Sequence, residues 1–317
     1  MNKKNTLSGK LPKGNLSYRS NGKLLLTGEY LVLKGAKALA IPLRFGQDLL
    51  IEIKREQLID WSSNINGENW LDVQFSLPHL NIISTNNNEL ANRLQKVLQS
   101  AKILNNNFLS ESKGYQVTAN IDFNIEWGLG SSSTLISNVA GWAKCNPNQL
   151  NQFVFGGSGY DIACASSKSP IIYQLKNGQA NSKPVNFNPP FKDHLTFVWL
   201  NKKQNSREAI NRFDQSKDYQ KVIEQINNIT MSMTVCTNLI QFKELMNEHE
   251  TLMANVIETN PVKKRLFPDF DGSIKSLGAW GGDFIMTASE KTFSEVKNYF
   301  KQKGHNTVFS YNEIIYY

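Results

Sequence analysis

The stretch from Asn124 to Leu135, NIEWGLGSSSTL, constrains this chain more than any other. A short apolar run from Tyr115 to Ile125 reads as a strand. It enters a Gly-Leu-Gly turn, and helix-like residues follow with three serines in the first turn. Glycine admits positive φ and lets the backbone approach a ligand closely. A helix start offers unpaired N–H groups and the positive end of the helix dipole. A loop of this kind is a cradle for phosphate, and the hydroxyls of Ser131, Ser132 and Ser133 can add hydrogen bonds or reach a phosphate-bound Mg2+. A plain strand-to-helix turn with serine caps uses the same residues.

Two familiar nucleotide motifs are absent. Gly9 and Gly14 have the glycine spacing of a Walker loop, but Asn15 and Leu16 stand where Lys and Ser/Thr are required. Gly128 and Gly130 begin a dinucleotide fingerprint, but Ser133 holds the third glycine position and no acid lies near residue 150.

With 317 residues, one large domain or two ordinary ones are expected. No apolar run approaches the ~20 residues of a membrane span, and the basic N-terminus lacks the apolar core of a secretory signal. Cys145, Cys164 and Cys236 are odd in number and scattered, which suits a reducing cytoplasm. The four histidines are isolated, so an expected metal is a hard one held by oxygen. The net charge of +8 asks for an anionic ligand. Its lysines are spread out, with no RNA-binding aromatic motif and no basic helix, and the expected partner is a small phosphorylated molecule rather than nucleic acid or membrane.

Taken in order, residues 22–54 alternate like strands around turns at Gly28 and Gly35. Lys23, just ahead of the first buried run, is either a strand-edge lysine or a cation facing a cleft. Residues 61–80 read as a hairpin or irregular excursion, and Glu89–Asn105 as a helix with an apolar stripe. After Thr134–Lys144 and a short helix from Pro147, three glycines within four residues precede Asp161. There a helix cap and N-capping aspartate compete with an aspartate presented to a phosphate-filled cleft. The NFNPP segment at 186–190 is the candidate domain junction. Lys202, Lys203 and Arg207 surround a helix start expected near Ser206, which can hold a carboxylate or phosphate. Long helices are expected over 218–230 and 239–258, with their methionines in the core. A second glycine-rich turn, at 278–282, then runs into a strand.

Three segments together resemble the GHMP small-molecule kinases, the family of galactokinase, homoserine kinase, mevalonate kinase and phosphomevalonate kinase. They are GKLLLTGEYLVLKG at 22–35, GLGSSS at 128–133 and SLGAWGGD at 276–283, with GYDIA at 159–163 resembling a bacterial subgroup. The first and third segments, and NSREAI at 205–210, look closest to mevalonate and phosphomevalonate kinases.

The resemblance implies an α+β, GHMP kinase-like two-domain fold. A ribosomal S5 domain 2-like N-terminal domain would span 1–185 and a ferredoxin-like C-terminal domain 186–317. It implies ATP and Mg2+, an alcohol or phosphate-ester acceptor, and a cytoplasmic monomer or homodimer. Gly128, Leu129, Gly130, Ser131, Ser132 and Ser133 match the loop around the ATP phosphates, with Ser132 the hydroxyl expected on Mg2+. Lys23 matches the lysine that orients the acceptor, and Asp161 the proposed general base. Glu29, Tyr30, Ser206, Arg207, Gly281 and Gly282 match substrate-side positions. Three departures stand out. Asn124 replaces a usual proline, Trp280 replaces a small residue and is expected to narrow the site, and no Asp or Glu occurs from 127 through 160. Asn151 and Gln152 occupy the neighbourhood of the metal-binding glutamate of mevalonate kinases.

Overall fold

The computed structural model describes residues 15–110, 112–202, 213–214, 216–280 and 282–316. Among these, the first half of the chain builds an eight-stranded sheet from β1 (Leu16–Leu25), β2 (Ala38–Lys54), β3 (Leu58–Ile65), β4 (Glu68–Ser76), β5 (Ile82–Thr85), β6 (Gly114–Ile121), β7 (Ile171–Lys176) and β8 (Gln179–Pro184). The order is β5-β4-β3-β6-β2-β7-β8, with β1 antiparallel to β2. The central strand β2 is buried continuously from Ala38 to Leu43 because both of its faces are covered there. The edge strand β8 is polar and wholly exposed, a composition that discourages further pairing. The 61–80 segment is an ordered hairpin whose Trp61, Leu71, Val73 and Phe75 are buried.

Helices α1 (Asn88–Leu104), α2 (Ser131–Ala143), α3 (Pro147–Val154) and α4 (Tyr160–Ala165) cover one side of this sheet. Asn87 caps α1 by accepting the Leu90 amide, and Ala91, Leu94, Val97, Leu98 and Ala101 form its buried stripe. A buried polar network seats α2: Asn138 donates to the Gln47 carbonyl and accepts from Ser20, and Thr134 donates to the Gln47 side chain. Deep hydrogen bonds of this kind fix a helix in one register, because every misplacement leaves a polar group unpaired.

The second sheet contains β9 (Leu195–Trp199), β10 (Ser273–Ser276), β11 (Phe284–Ala288) and β12 (Val308–Ser310), in the order β10-β11-β9-β12 and antiparallel throughout. Helices α5 (Gln220–Val235), α6 (Leu239–Val256) and α7 (Val262–Leu266) lie between β9 and β10 in the chain, and α8 (Phe293–Gln302) between β11 and β12. This is the ferredoxin-like arrangement. The final helix α9 (Tyr311–Ile314) returns the chain to the first sheet, where Ile315 bridges Leu43. One apolar cluster joins Leu24, Leu39, Phe123 and Leu129 to Phe197, Phe242, Phe284 and Tyr311, so the two sheets share a core. Of the methionines expected inside, Met233, Met246 and Met253 are buried, but Met231 is 40% exposed on the outer face of α5. Among the described residues, no helix is long and apolar enough to cross a membrane.

Candidate active site

The strand before the glycine-rich turn ends at Ile121, four residues earlier than the sequence suggests. A short 3-10 turn, Ile125–Trp127, intervenes, and the Asn124 side chain caps it by accepting the Glu126 amide at 2.9 Å. Gly128 and Gly130 then take φ +69° and +94°, a region that L side chains avoid. Space forbids a side chain as well: a Cβ at Gly130 would lie 2.7 Å from Ser133 Oγ. Leu129 is buried in the shared core and anchors the loop, while its carbonyl accepts the Lys23 amide at 2.9 Å. Among the described residues, the amides of Gly128 through Ser133 make no hydrogen bond. The loop is therefore an open cradle at the N-terminus of α2. The serines differ. Ser132 is exposed, whereas Ser133 is 2% exposed and donates its hydroxyl to the Gly130 carbonyl at 2.8 Å. Only the amide of Ser133 remains for a ligand.

Lys23 follows a register shift between Asn21 and Lys23 in the pairing of β1 with β2, the kind of irregularity that re-aims a side chain. Its methylenes pack against Gly130, and its Nζ donates to the Gly128 carbonyl at 3.1 Å and lies 5.8 Å from the Tyr160 ring centre. Burial alone would lower the pKa of this ammonium. Tyr160, Asp161 and Asp283 around it outweigh that and hold it above the usual lysine value.

Asp161 is the second residue of α4, behind an N-cap formed by Gly159 at φ +80°, so it does not cap the helix. Its carboxylate accepts its neighbour Ile162's amide at 3.1 Å. Burial raises its pKa above the ordinary carboxylate value, with Lys23 opposing the shift. Lys23 therefore does not hold Asp161 below the usual range, contrary to what its placement beside a lysine suggests. The glycine-rich loop is thus in contact with Lys23, and Asp161 is an electrostatic neighbour of that lysine.

The cleft beside them is lined by Lys23, Leu25, Tyr30, Trp127, Tyr160 and Asp283, with further apolar side chains. Tyr30 Oη donates to the Ala279 carbonyl at 2.7 Å, joining the first glycine-rich segment to the last. Glu29 borders the same cleft but is 1% exposed, and Lys275 Nζ donates to it at 2.9 Å. Lys275 also lies 3.7 Å from Glu250, which accepts the amide and hydroxyl of Ser276. Burial pushes the Glu250 carboxyl up to about 7. His249 accepts the Gly28 amide on Nε2, and burial holds its pKa far below the usual value, leaving it neutral. Trp280 is buried among Leu31, Phe213 and Met253, so it does not narrow the cleft as expected. Gly282 is buried beside the cleft residue Asp283. Lys203, Ser206, Arg207 and Gly281 lie outside the described residues.

Three solved structures share this architecture along almost the whole chain. Methanococcus jannaschii mevalonate kinase aligns with a TM-score of 0.71 at 16% identity, covering 96% of this chain and 100% of that one. Streptococcus pneumoniae phosphomevalonate kinase, solved with phosphomevalonate and AMPPNP, aligns at 0.67 with 15% identity over 93% and 99%. Lactococcus lactis galactokinase, complexed with galactose, aligns at 0.64 with 17% identity over 92% and 89%. The fold is that of the GHMP kinases. No family model matches the sequence, and no curated protein matches it.

Set on the GHMP-kinase fold, Asn151 and Gln152 are tied to the glycine loop ahead of Asp161. Their side-chain amides donate to the carbonyls of Gly156 and Gly157 at 2.7 and 3.0 Å. These contacts brace the loop and supply no anionic ligand. Among the described residues, no group of three His, Cys, Asp or Glu side chains could hold a metal. The open cradle suits a nucleotide's phosphates, and Mg2+ fits here as an ion carried largely by phosphate oxygens, with the Ser132 hydroxyl available to it. Sequence reasoning passed over Asp283, Glu250, His249 and Lys275. The first ended a motif read only for its glycines, and the others look like surface residues of a helix and a strand.

Proposed function

We propose that this protein is an ATP-dependent small-molecule kinase that transfers the γ-phosphoryl group to mevalonate or 5-phosphomevalonate. The observation that carries the reading is an open amide cradle beside a lysine that has a desolvated carboxylate, Asp161, as its electrostatic neighbour. Phosphoryl transfer depends mainly on positioning and charge neutralisation, and these are the groups it requires. The amides of Gly128–Ser133 would hold the phosphates, and the Ser132 hydroxyl would be available to Mg2+, which neutralises phosphate charge when bound. Lys23 orients the acceptor oxygen and offsets developing negative charge. Asp161 takes the acceptor proton, and a carboxyl pKa raised by burial suits that task near neutral pH. Glu29, closed off by Lys275, shapes the wall and does not contact substrate. Tyr30 and Gly282 frame the acceptor side, and Ser206, Arg207 and Gly281 complete it in this reading.

The apolar share of the lining, including Leu24, Leu25, Val32 and Phe284, favours an acceptor with an aliphatic body over a sugar. The reading also divides the chain near residue 185, between strands β8 and β9, and places a monomer or homodimer in the cytoplasm. A second reading, a catalytically silent nucleotide-binding protein, is favoured by Asn151 and Gln152 in place of an acid. ADP release measured with mevalonate, 5-phosphomevalonate, galactose and homoserine separates the readings. Release dependent on mevalonate or its phosphate is expected. Release with galactose or homoserine alone would move the substrate, and ATP binding without any release would favour the silent protein.

A further inference from the structure

Asp283 stands where the last glycine-rich segment meets the phosphate loop. It is 8% exposed and holds φ +52°, a conformation that Asp and Asn tolerate better than most residues. Its main chain is fixed on both sides of the α-carbon. The amide donates to the Lys202 carbonyl at 2.6 Å, and the carbonyl accepts the Leu200 amide at 2.8 Å. Both partners follow the end of β9, so the entry to β11 cannot relax without breaking these bonds. Backbone held this way beside a cleft directs attention to the side chain it presents.

Gly128 locates that side chain. A Cβ there would meet Asp283 Oδ1 at 2.7 Å and Oδ2 at 3.1 Å, so the carboxylate lies against the α-carbon of the first loop glycine. Asp283 lines the cleft together with Lys23, Tyr30 and Tyr160. It is an electrostatic neighbour of both Lys23 and Tyr30. Lys23 therefore has two carboxylate neighbours. Of these, Asp283 is on the cleft wall, while α4 presents Tyr160 there rather than Asp161.

Building on the kinase reading above, we propose that Asp283 is a second catalytic carboxylate, one that touches the acceptor. It accepts the hydrogen bond of a second, unreacting hydroxyl of the acceptor and so fixes the reacting oxygen beside Lys23 at the mouth of the phosphate loop. In the transfer, the reacting hydroxyl oxygen forms its bond to the γ-phosphorus. The bond from that phosphorus to the β,γ-bridging oxygen breaks, its electron pair leaves with ADP, and the hydroxyl proton passes to Asp161. A carboxylate has about four lone-pair sites, so Asp283 takes this bond alongside any other it makes.

Asp283→Asn tests the assignment, since asparagine has the same shape and accepts the same φ. Wild type and variant are compared in acceptor and MgATP kinetics, with ATP and acceptor binding followed by calorimetry. The expected result is a fall of about 10- to 100-fold in kcat/KM for the acceptor, with ATP affinity unchanged within about twofold. Unaltered acceptor kinetics would overturn the assignment. So would a loss confined to ATP affinity, which marks a brace for the loop, or a raised Mg2+ requirement alone, which marks a metal ligand. A wild type that neither binds nor phosphorylates any acceptor removes the kinase reading and this assignment together. An active wild type beside an unaffected variant removes the assignment alone.

Discussion

Tyr30 and Ala279, 249 positions apart, are joined by a hydrogen bond of 2.7 Å from the phenol to the carbonyl. The bond lies on the wall of the cleft and ties the first sheet's leading turn to the segment between β10 and β11. Tyr30→Phe keeps the ring against Phe213, whose centre is 5.6 Å away, and removes only the bond. The expected loss is about 1 kcal/mol, read as a fall of about 2 °C in Tm. A several-fold rise in acceptor KM with unchanged ATP affinity should accompany it. An unchanged KM would show that this bond does not shape the acceptor wall.

Gly130→Ala should damage nucleotide binding specifically. The new Cβ would meet Ser133 Oγ at 2.7 Å and Lys23 carbons at 3.3 Å, at a residue with φ +94°. Strain of about 1–2 kcal/mol is expected from the backbone alone, enough for a fall of about tenfold in ATP affinity. Calorimetric titration with ATP and far-UV circular dichroism distinguish this from unfolding. Undiminished affinity would mean that the loop does not hold phosphate.

Asp161→Asn should abolish turnover while leaving ATP affinity largely intact. The wild-type acid limb of kcat/KM should lie above the ordinary aspartate range, because burial raises this carboxyl and only its ionised form accepts a proton. Activity therefore rises with pH through that elevated pKa. Full activity in the variant would remove Asp161 from the mechanism.

Lys275 is 0% exposed and lies between Glu29 and Glu250. Lys275→Met leaves two buried carboxylates without their cation and should cost about 3–5 kcal/mol, measured by urea unfolding. Loss of less than about 1 kcal/mol would mean that the cluster relaxes freely.

Glu250 gives stability a pH dependence of definite sign. Its carboxyl stands at about 7 in the folded protein against an ordinary value of 4.5, burial being the main cause with Lys275 opposing it. The folded state therefore binds the proton more tightly than the unfolded chain. This contribution is fully present below about 4.5 and is lost as pH rises through about 7. Glu250→Gln should flatten the stability profile across that interval, as followed by Tm, and an unchanged slope would place the titration elsewhere.

The parts legible in the sequence were those imposed by backbone geometry or periodicity. Gly128 and Gly130 announced a positive-φ turn, and the apolar stripe of α1 announced a helix. The turn at 278–282 announced the strand that follows it, β11. Local patterns carry no information on which distant side chains converge. Lys275 sits in a run, SIKS, that is buried at every position, yet a strand lysine ordinarily reads as solvent-facing. Its partner Glu29 comes from 246 positions earlier. Asp283 was hidden similarly, because its place against Gly128 depends on how the end of β9 grips its main chain. Trp280 misled for a physical reason too: the left-handed φ of +50° accompanies an indole turned into the core of α5 and α6.

The Glu29–Lys275–Glu250 contact also limits how the molecule can breathe. Any hinge that pulled β10 away from the turn after β1 would separate the buried Lys275 from Glu29, at a cost of several kcal/mol. That seam is consequently a pivot, and traffic of ligands into and out of the crevice must rely on displacement elsewhere along its rim.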